Sequence, residues 1–197
     1  MKNSLILILS VALLLSCKSG NNNTNTMDSV GMGDEVGVSD NNSNDNNNLW
    51  DQDKIKTFVD NAAAGSLMDV ELGKVAQKNA MSQQVRDFGK MMEKDHGDAS
   101  TNLKSALQPL GLNVPSALDK DHQDKIDNLN KRSGKEFDKD YIDEMVSNHK
   151  KDVDDFEDAQ NNLPSGELRT WVENTLPVLR QHLTQAQTIQ DQLKNNN

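Results

Sequence analysis

The chain has 197 residues, a formal net charge of −10 and an isoelectric point near 4.8. That length suits one domain with an appendage. The acidity excludes phosphate-driven nucleic-acid binding, which needs clustered Lys and Arg, and it excludes docking on anionic lipid through a basic face. A lone cysteine, Cys17, excludes an internal disulfide.

Residues 1–16 come first in chain order. Lys2 gives a short positive start, and Leu5 to Leu15 is an almost unbroken apolar run too short to span a bilayer. Those are the marks of a secretory signal peptide rather than a transmembrane helix. The ending Leu14-Leu15-Ser16-Cys17 resembles the bacterial lipoprotein box, in which signal peptidase II cleaves before the cysteine. The resemblance implies acylation of Cys17, palmitate included, and a protein held on the cell envelope. The expected address is the outer membrane, on its periplasmic or surface face. Several acyl chains make a stable anchor where one binds only marginally. Loss of Lys2 with the signal leaves the mature chain more acidic still.

Residues 17–50 read as the acylated cysteine followed by a disordered, Asn-rich tether. Asn, Gly, Ser and Asp dominate, and Met27, Val30, Met32, Val36 and Val38 follow no period. Such a segment buries too little apolar surface to offset its ordering entropy.

Residues 51–197 read as an all-α domain. A first long helix is expected over 53–79. A second has Ser82 as N-cap and runs to about 107, stopped by Pro109 and Gly111. A short helix over 117–131 follows, capped by Ser116. A third long helix opens on Ser133-Gly134-Lys135-Glu136, a capping-box pattern, and runs to about 160. The last follows Pro164-Ser165, ends near 193 and is expected to kink at Pro177. Apolar residues recur at three/four spacing: Val85, Met92, Ala99, Leu103 and Ala106; Ile142, Met145, Phe156 and Ala159; Leu168, Val172, Leu179, Ala186, Ile189 and Leu193. Stripes of this kind face one another in bundles. Two short joins make two antiparallel hairpins, and the long middle connection crosses the bundle length. The expected fold is therefore a ferritin-like four-helix bundle with a long crossover carrying a short extra helix.

Three of the four histidines, His96, His149 and His182, fall inside those stripes, one on each of three helices. Bundle cores are where such folds build metal sites. A buried, hydrogen-bonded structural network explains the same pattern, and both readings stand open at this point. Glu71, flanked by Leu67, Met68 and Val75, edges the core. Glu93 stands three residues before His96, the Glu-x-x-His spacing by which one helix gives a carboxylate and an imidazole to one ion. Phe88-x3-Met92-x3-His96 recurs as Tyr141-x3-Met145-x3-His149. The methionines are expected to be packing, and His122, on the short helix with Leu118, Ile126 and Leu129, to be structural.

The stretches Phe88-Gly89-Lys90-Met91-Met92-Glu93-Lys94-Asp95-His96, Met145-Val146-Ser147-Asn148-His149 and Leu176-Pro177-Val178-Leu179-Arg180-Gln181-His182, with Glu71-Leu72-Gly73 and Phe137-Asp138, resemble a bacterial envelope family called domain of unknown function 4142. The resemblance implies a ferritin-like fold, an exported location and no established activity. It places the recurrent polar positions of that family on Glu71, Asp95, His96, His149 and His182. The chain departs from di-iron bundles: Leu179 and Val146 stand three residues before His182 and His149, where a second Glu-x-x-His and a bridging glutamate are needed. Three imidazoles with one or two carboxylates suit zinc or copper better than a carboxylate-rich iron pair.

The sequence thus points to a lipid-anchored envelope protein with a non-enzymatic interaction or stress-protection role. The membrane through its anchor and an envelope protein are the expected partners, and nucleic acid is not. The alternative is a bundle that binds a divalent metal (zinc, copper or iron) through His96, His149, His182, Glu71 and Glu93.

Overall fold

Short polar side chains set most of the helix boundaries. The Asp51 carboxylate accepts from the Lys54 amide at 2.8 Å and opens α1 (Gln52–Asn79). Next come α2 (Gln83–Ala106), α3 (Lys120–Asn130), α4 (Gly134–Asn162) and α5 (Glu167–Asn195), with a 3₁₀ turn at Gln108–Leu110. Pro109 and the left-handed Gly111, φ 64°, stop α2 as the sequence predicts. The computed structural model describes residues 49–195, and no strand occurs among them beyond one isolated bridge between Ala80 and Gly134. The signal segment, Cys17 and residues 18–48 of the tether lie outside the described residues. No helix among the described residues is long and apolar enough to cross a membrane.

None of the three expected serine caps makes its bond. The short helix begins at Lys120, three residues later than predicted, because Asp119 rather than Ser116 caps it by accepting from the His122 amide at 2.9 Å. A carboxylate here is the stronger acceptor, and it also takes the His122 ring nitrogen. Ser133 does stand at the N-cap of α4, but its hydroxyl makes no capping bond. Glu136 pairs with Arg132 instead of reaching back, since a guanidinium outcompetes a neutral amide for a carboxylate. Ser82 likewise makes no side-chain cap on α2. That role falls to the buried Asp138 on α4, whose two oxygens accept from the Met81 and Ser82 amides at 2.9 and 2.8 Å.

Those bonds also fix the topology. Trp50, before α1, donates its amide to the Asn162 carbonyl at the end of α4, while Asp138 at the start of α4 holds the end of α1. The two helices are therefore antiparallel. Trp171, early in α5, donates its indole N–H to Ala99, late in α2, so that pair is antiparallel as well. Joins of a few residues, 80–82 and 163–166, make α1–α2 and α4–α5 antiparallel hairpins. Because α2 and α4 run the same way, residues 107–133 must return along the whole bundle. On that return α3 lies beside α1 and α4: Asn79 bonds the Asn130 and Arg132 carbonyls, and Lys125 pairs with Glu144.

The interior is split into two apolar clusters. At one end Phe58, Phe156 and Trp171 interlock with ring centroids 5.2–6.4 Å apart, among Leu103, Leu107, Leu163 and Leu176. At the other, Phe88, Phe137 and Tyr141 pack with Met68, Met92, Met145 and the inner face of α3. The α1–α2 hairpin closes tightly there: a Cβ on Gly73 would run into the Gly89 carbonyl, and one on Gly89 would lie 2.7 Å from the Ala76 Cβ. Along each helix the polar side chains Asp69, His96, His149 and His182, all buried, fall at the boundary between the two clusters.

Candidate metal centre

Each of the three histidines is brought inward by the stripe of its own helix. His96 sits on α2 one turn after Met92, His149 on α4 one turn after Met145, and His182 on α5 one turn before Ala186. They are 5, 0 and 1 % exposed. Their ring centroids form a nearly equilateral triangle with sides of 5.3, 5.4 and 5.4 Å. One nitrogen from each lies within 4.8 Å of the others. The three rings therefore share one layer.

The partners of two of the rings fix their tautomers. His149 donates from Nδ1 to the Met145 carbonyl at 3.0 Å, leaving a lone pair on Nε2. His182 donates from Nε2 to the Asp95 carboxylate at 3.1 Å, leaving a lone pair on Nδ1, which is buried without a hydrogen-bond partner. Backbone and carboxylate bonds of this kind orient metal-bound imidazoles and raise their basicity. His96 Nε2 lies 3.3 Å from His149 Nε2 and 3.6 Å from Asp69 Oδ2. Asp69 is fully buried, and neither carboxylate oxygen has a hydrogen-bond partner.

Burial dominates the electrostatics. It holds His96 well below the usual imidazole range, with a further contribution from the two neighbouring rings, and it lowers His149 to about 4. His182 is lowered by the same cause, opposed by its bond to Asp95. All three rings are therefore neutral at neutral pH, the form that binds metal. Burial, then repulsion from Asp152 and Glu144, pushes the Asp69 carboxyl well above its ordinary value.

Protein hydrogen bonds alone leave part of this arrangement unsatisfied. A direct N–H···N bond between His96 and His149 would account for their 3.3 Å separation, yet it leaves His182 Nδ1 and both Asp69 oxygens orphaned. Each such atom costs about 1–3 kcal/mol. Two nitrogens at about 2.0–2.1 Å from one tetrahedral zinc stand about 3.3–3.4 Å apart. The His96–His149 separation matches that edge.

The structure does not bring the two glutamates to this layer. Glu71 is half exposed on α1 and pairs with Lys74 at 2.7 Å, because its position points past the core edge. Glu93 accepts from the Gln77 side chain at 2.6 Å on the α1–α2 face, so its Glu-x-x-His spacing is not used. The carboxylates at the layer are Asp69, which the sequence reading missed, and Asp95, which the family resemblance marked. Asp69 had a readable signal: Ile55, Phe58, Ala62, Gly65, Asp69, Leu72 and Ala76 step by three and four along α1. Met92 and Met145 pack in the second apolar cluster, as expected. His122 belongs to the cap of α3, again a structural role.

No curated protein and no solved structure matches the chain. The family model described as "Domain of unknown function (DUF4142)" matches residues 41–189, which bears out the resemblance read from the motifs. The match spans the bundle, the buried histidine layer and the residues that orient it, and the chain belongs to that family.

Proposed function

We propose that this protein is a lipid-anchored bundle of the cell envelope, ferritin-like in topology, that holds one transition-metal ion in its histidine layer. The observation that carries the metal is the convergence of three neutral imidazoles, with the buried, unpartnered Asp69 carboxylate 3.6 Å from one of them, His96. Three imidazole nitrogens with one carboxylate suit zinc or copper rather than a carboxylate-rich iron pair. The topology supports the ferritin-like assignment: two hairpins, all neighbours antiparallel, and one crossover along the bundle. The lipoprotein-box resemblance at Cys17 supports the anchor. Metal binding in an envelope protein supports a role in protecting the envelope against metal or oxidative stress.

Thermal unfolding with and without metal tests the ion. Zinc or copper at about 100 times Kd should stabilise the wild type by about 2.7 kcal/mol, reversed by chelator. His96→Ala, His149→Ala and His182→Ala should each abolish most of that gain. A wild type indifferent to metal, with each variant merely destabilised, would leave the layer as a hydrogen-bonded network.

A further inference from the structure

The three histidines are buried, so the clefts beside their layer are the natural approach for an ion. Two flank it. One, of about 650 Å³ between α2 and α5, is lined by Asp95, Asp98, Trp171 and Gln181. Its acid nearest the layer, Asp95, accepts from His182 Nε2, the nitrogen opposite the free lone pair, and Lys94 holds both Asp95 and Asp98. A cation arriving there meets the wrong side of the ring. The other cleft, of about 340 Å³, opens between α1, α3 and α4 and is lined by Asp69, Asp152, Asn148, His122 and Lys125. A hexahydrated ion needs on the order of 200 Å³, six waters at about 30 Å³ each, so it fits.

On that side ligand atoms of Asp69, His149 and Asp152 lie within 4.8 Å of one another. Both oxygens of fully buried Asp69 are without hydrogen-bond partners, and Asp69 lines the cleft. Asp69 Oδ2 is at the same time 3.6 Å from His96 Nε2, so one carboxylate touches both the cleft group and the inner layer. The basic side chains of the rim are neutralised by neighbours: Lys125 pairs with Glu144, and Lys151 with Asp155.

We infer that Asp69, His149 and Asp152 form an outer cation site, through which a divalent transition metal enters and is handed to the inner histidines. This rests on the metal-binding reading above. His149 is the pivot. Its Nδ1 is committed to the Met145 carbonyl, so the single nitrogen Nε2 must serve both positions. The two positions are therefore alternatives for one ion rather than a pair of ions bound together. Asp152 and Asp69 replace part of the hydration shell, His149 joins, and exchange of Asp152 for His96 and His182 completes the transfer.

Stopped-flow uptake of cobalt(II), followed by its visible absorption, and release into excess chelator test the relay in the purified full chain. Asp152→Asn should slow both uptake and release by about tenfold or more, with Kd and a stoichiometry of one unchanged, because an entry site lowers the barrier in both directions. Asp98→Asn, the same charge change in the opposite cleft, should leave both rates at the wild-type value. Wild-type uptake by Asp152→Asn, or two ions per wild-type chain, would overturn the relay while leaving the inner site standing. A wild type that takes up no cobalt or zinc at all would overturn both.

Discussion

At the scale of single residues, the decisive groups are polar side chains placed where a bundle ordinarily puts leucine. The histidines were legible because each sits in phase with an apolar stripe, and three such coincidences on three helices are hard to dismiss. Asp69 was legible by the same rule but was passed over for Glu71, which flanks the stripe with the more familiar ligand type. Asp152 is in phase too, four residues before Phe156. What periodicity cannot reveal is which ring nitrogen is free, since that depends on the Met145 carbonyl and on Asp95 from another helix. The buried acids and bases also set opposing pH dependences. His149, at about 4 when folded against 6.5 in the ordinary state, takes up its proton only on unfolding, so stability falls as pH drops through that window. Asp152, raised by burial from 3.8 to about 7, takes up its proton in the folded chain, so its contribution is lost as pH rises toward 7. Asp152→Asn removes the second effect. Metal-free variant protein should therefore lose stability more steeply than wild type between about pH 6.5 and 5, by at most about 1.4 kcal/mol per pH unit. Parallel denaturation curves for the two proteins across that range would show that Asp152 does not hold a proton there.

At the scale of elements, the helices were readable to within a few residues because their stops are chemical: Pro109 with Gly111, and Pro164 before the last helix. The caps were not readable, because a competing charged partner decided each one. Asp119 displaced Ser116, Arg132 drew Glu136 away, and Asp138 reached from α4 to cap α2. The closeness of α1 and α2 is a second property hidden from periodicity. It depends on Gly73 facing Gly89, which lets one backbone approach the other. Gly89→Ala should destabilise the bundle by about 1–3 kcal/mol through overpacking against Ala76 and the Gly73 carbonyl. Gly97, on the same helix, has nothing within 4 Å of its added Cβ, so Gly97→Ala should stabilise by about 0.5–1 kcal/mol. Thermal melts of the two variants should move in opposite directions. A Gly89→Ala protein as stable as wild type would show that the hairpin is looser than described.

At the scale of the whole molecule, the interior is two apolar clusters with a polar layer between them. Loop lengths predicted the two hairpins and the long return, and the cross-bundle bonds from Trp50, Asp138 and Trp171 agree with that arrangement. The packing of α3 along α1 and α4 had no signal in its own short stripe, yet it forms one wall of the cleft beside Asp69 and Asp152. No helix among the described residues is long and apolar enough to cross a membrane. The proposed attachment through Cys17 makes a sharp expectation: Cys17→Ser should move the protein from the detergent phase to the aqueous phase in a partition assay. Partitioning equal to wild type would rule out the acyl anchor.

The proposed metal centre is tested most directly by X-ray absorption on zinc-loaded wild-type protein. Three imidazole nitrogens with one oxygen, at about 2.0–2.2 Å, are expected as the first shell, with no sulfur near 2.3 Å. A shell of water oxygens alone, or one containing methionine sulfur, would contradict a site built by His96, His149, His182 and Asp69.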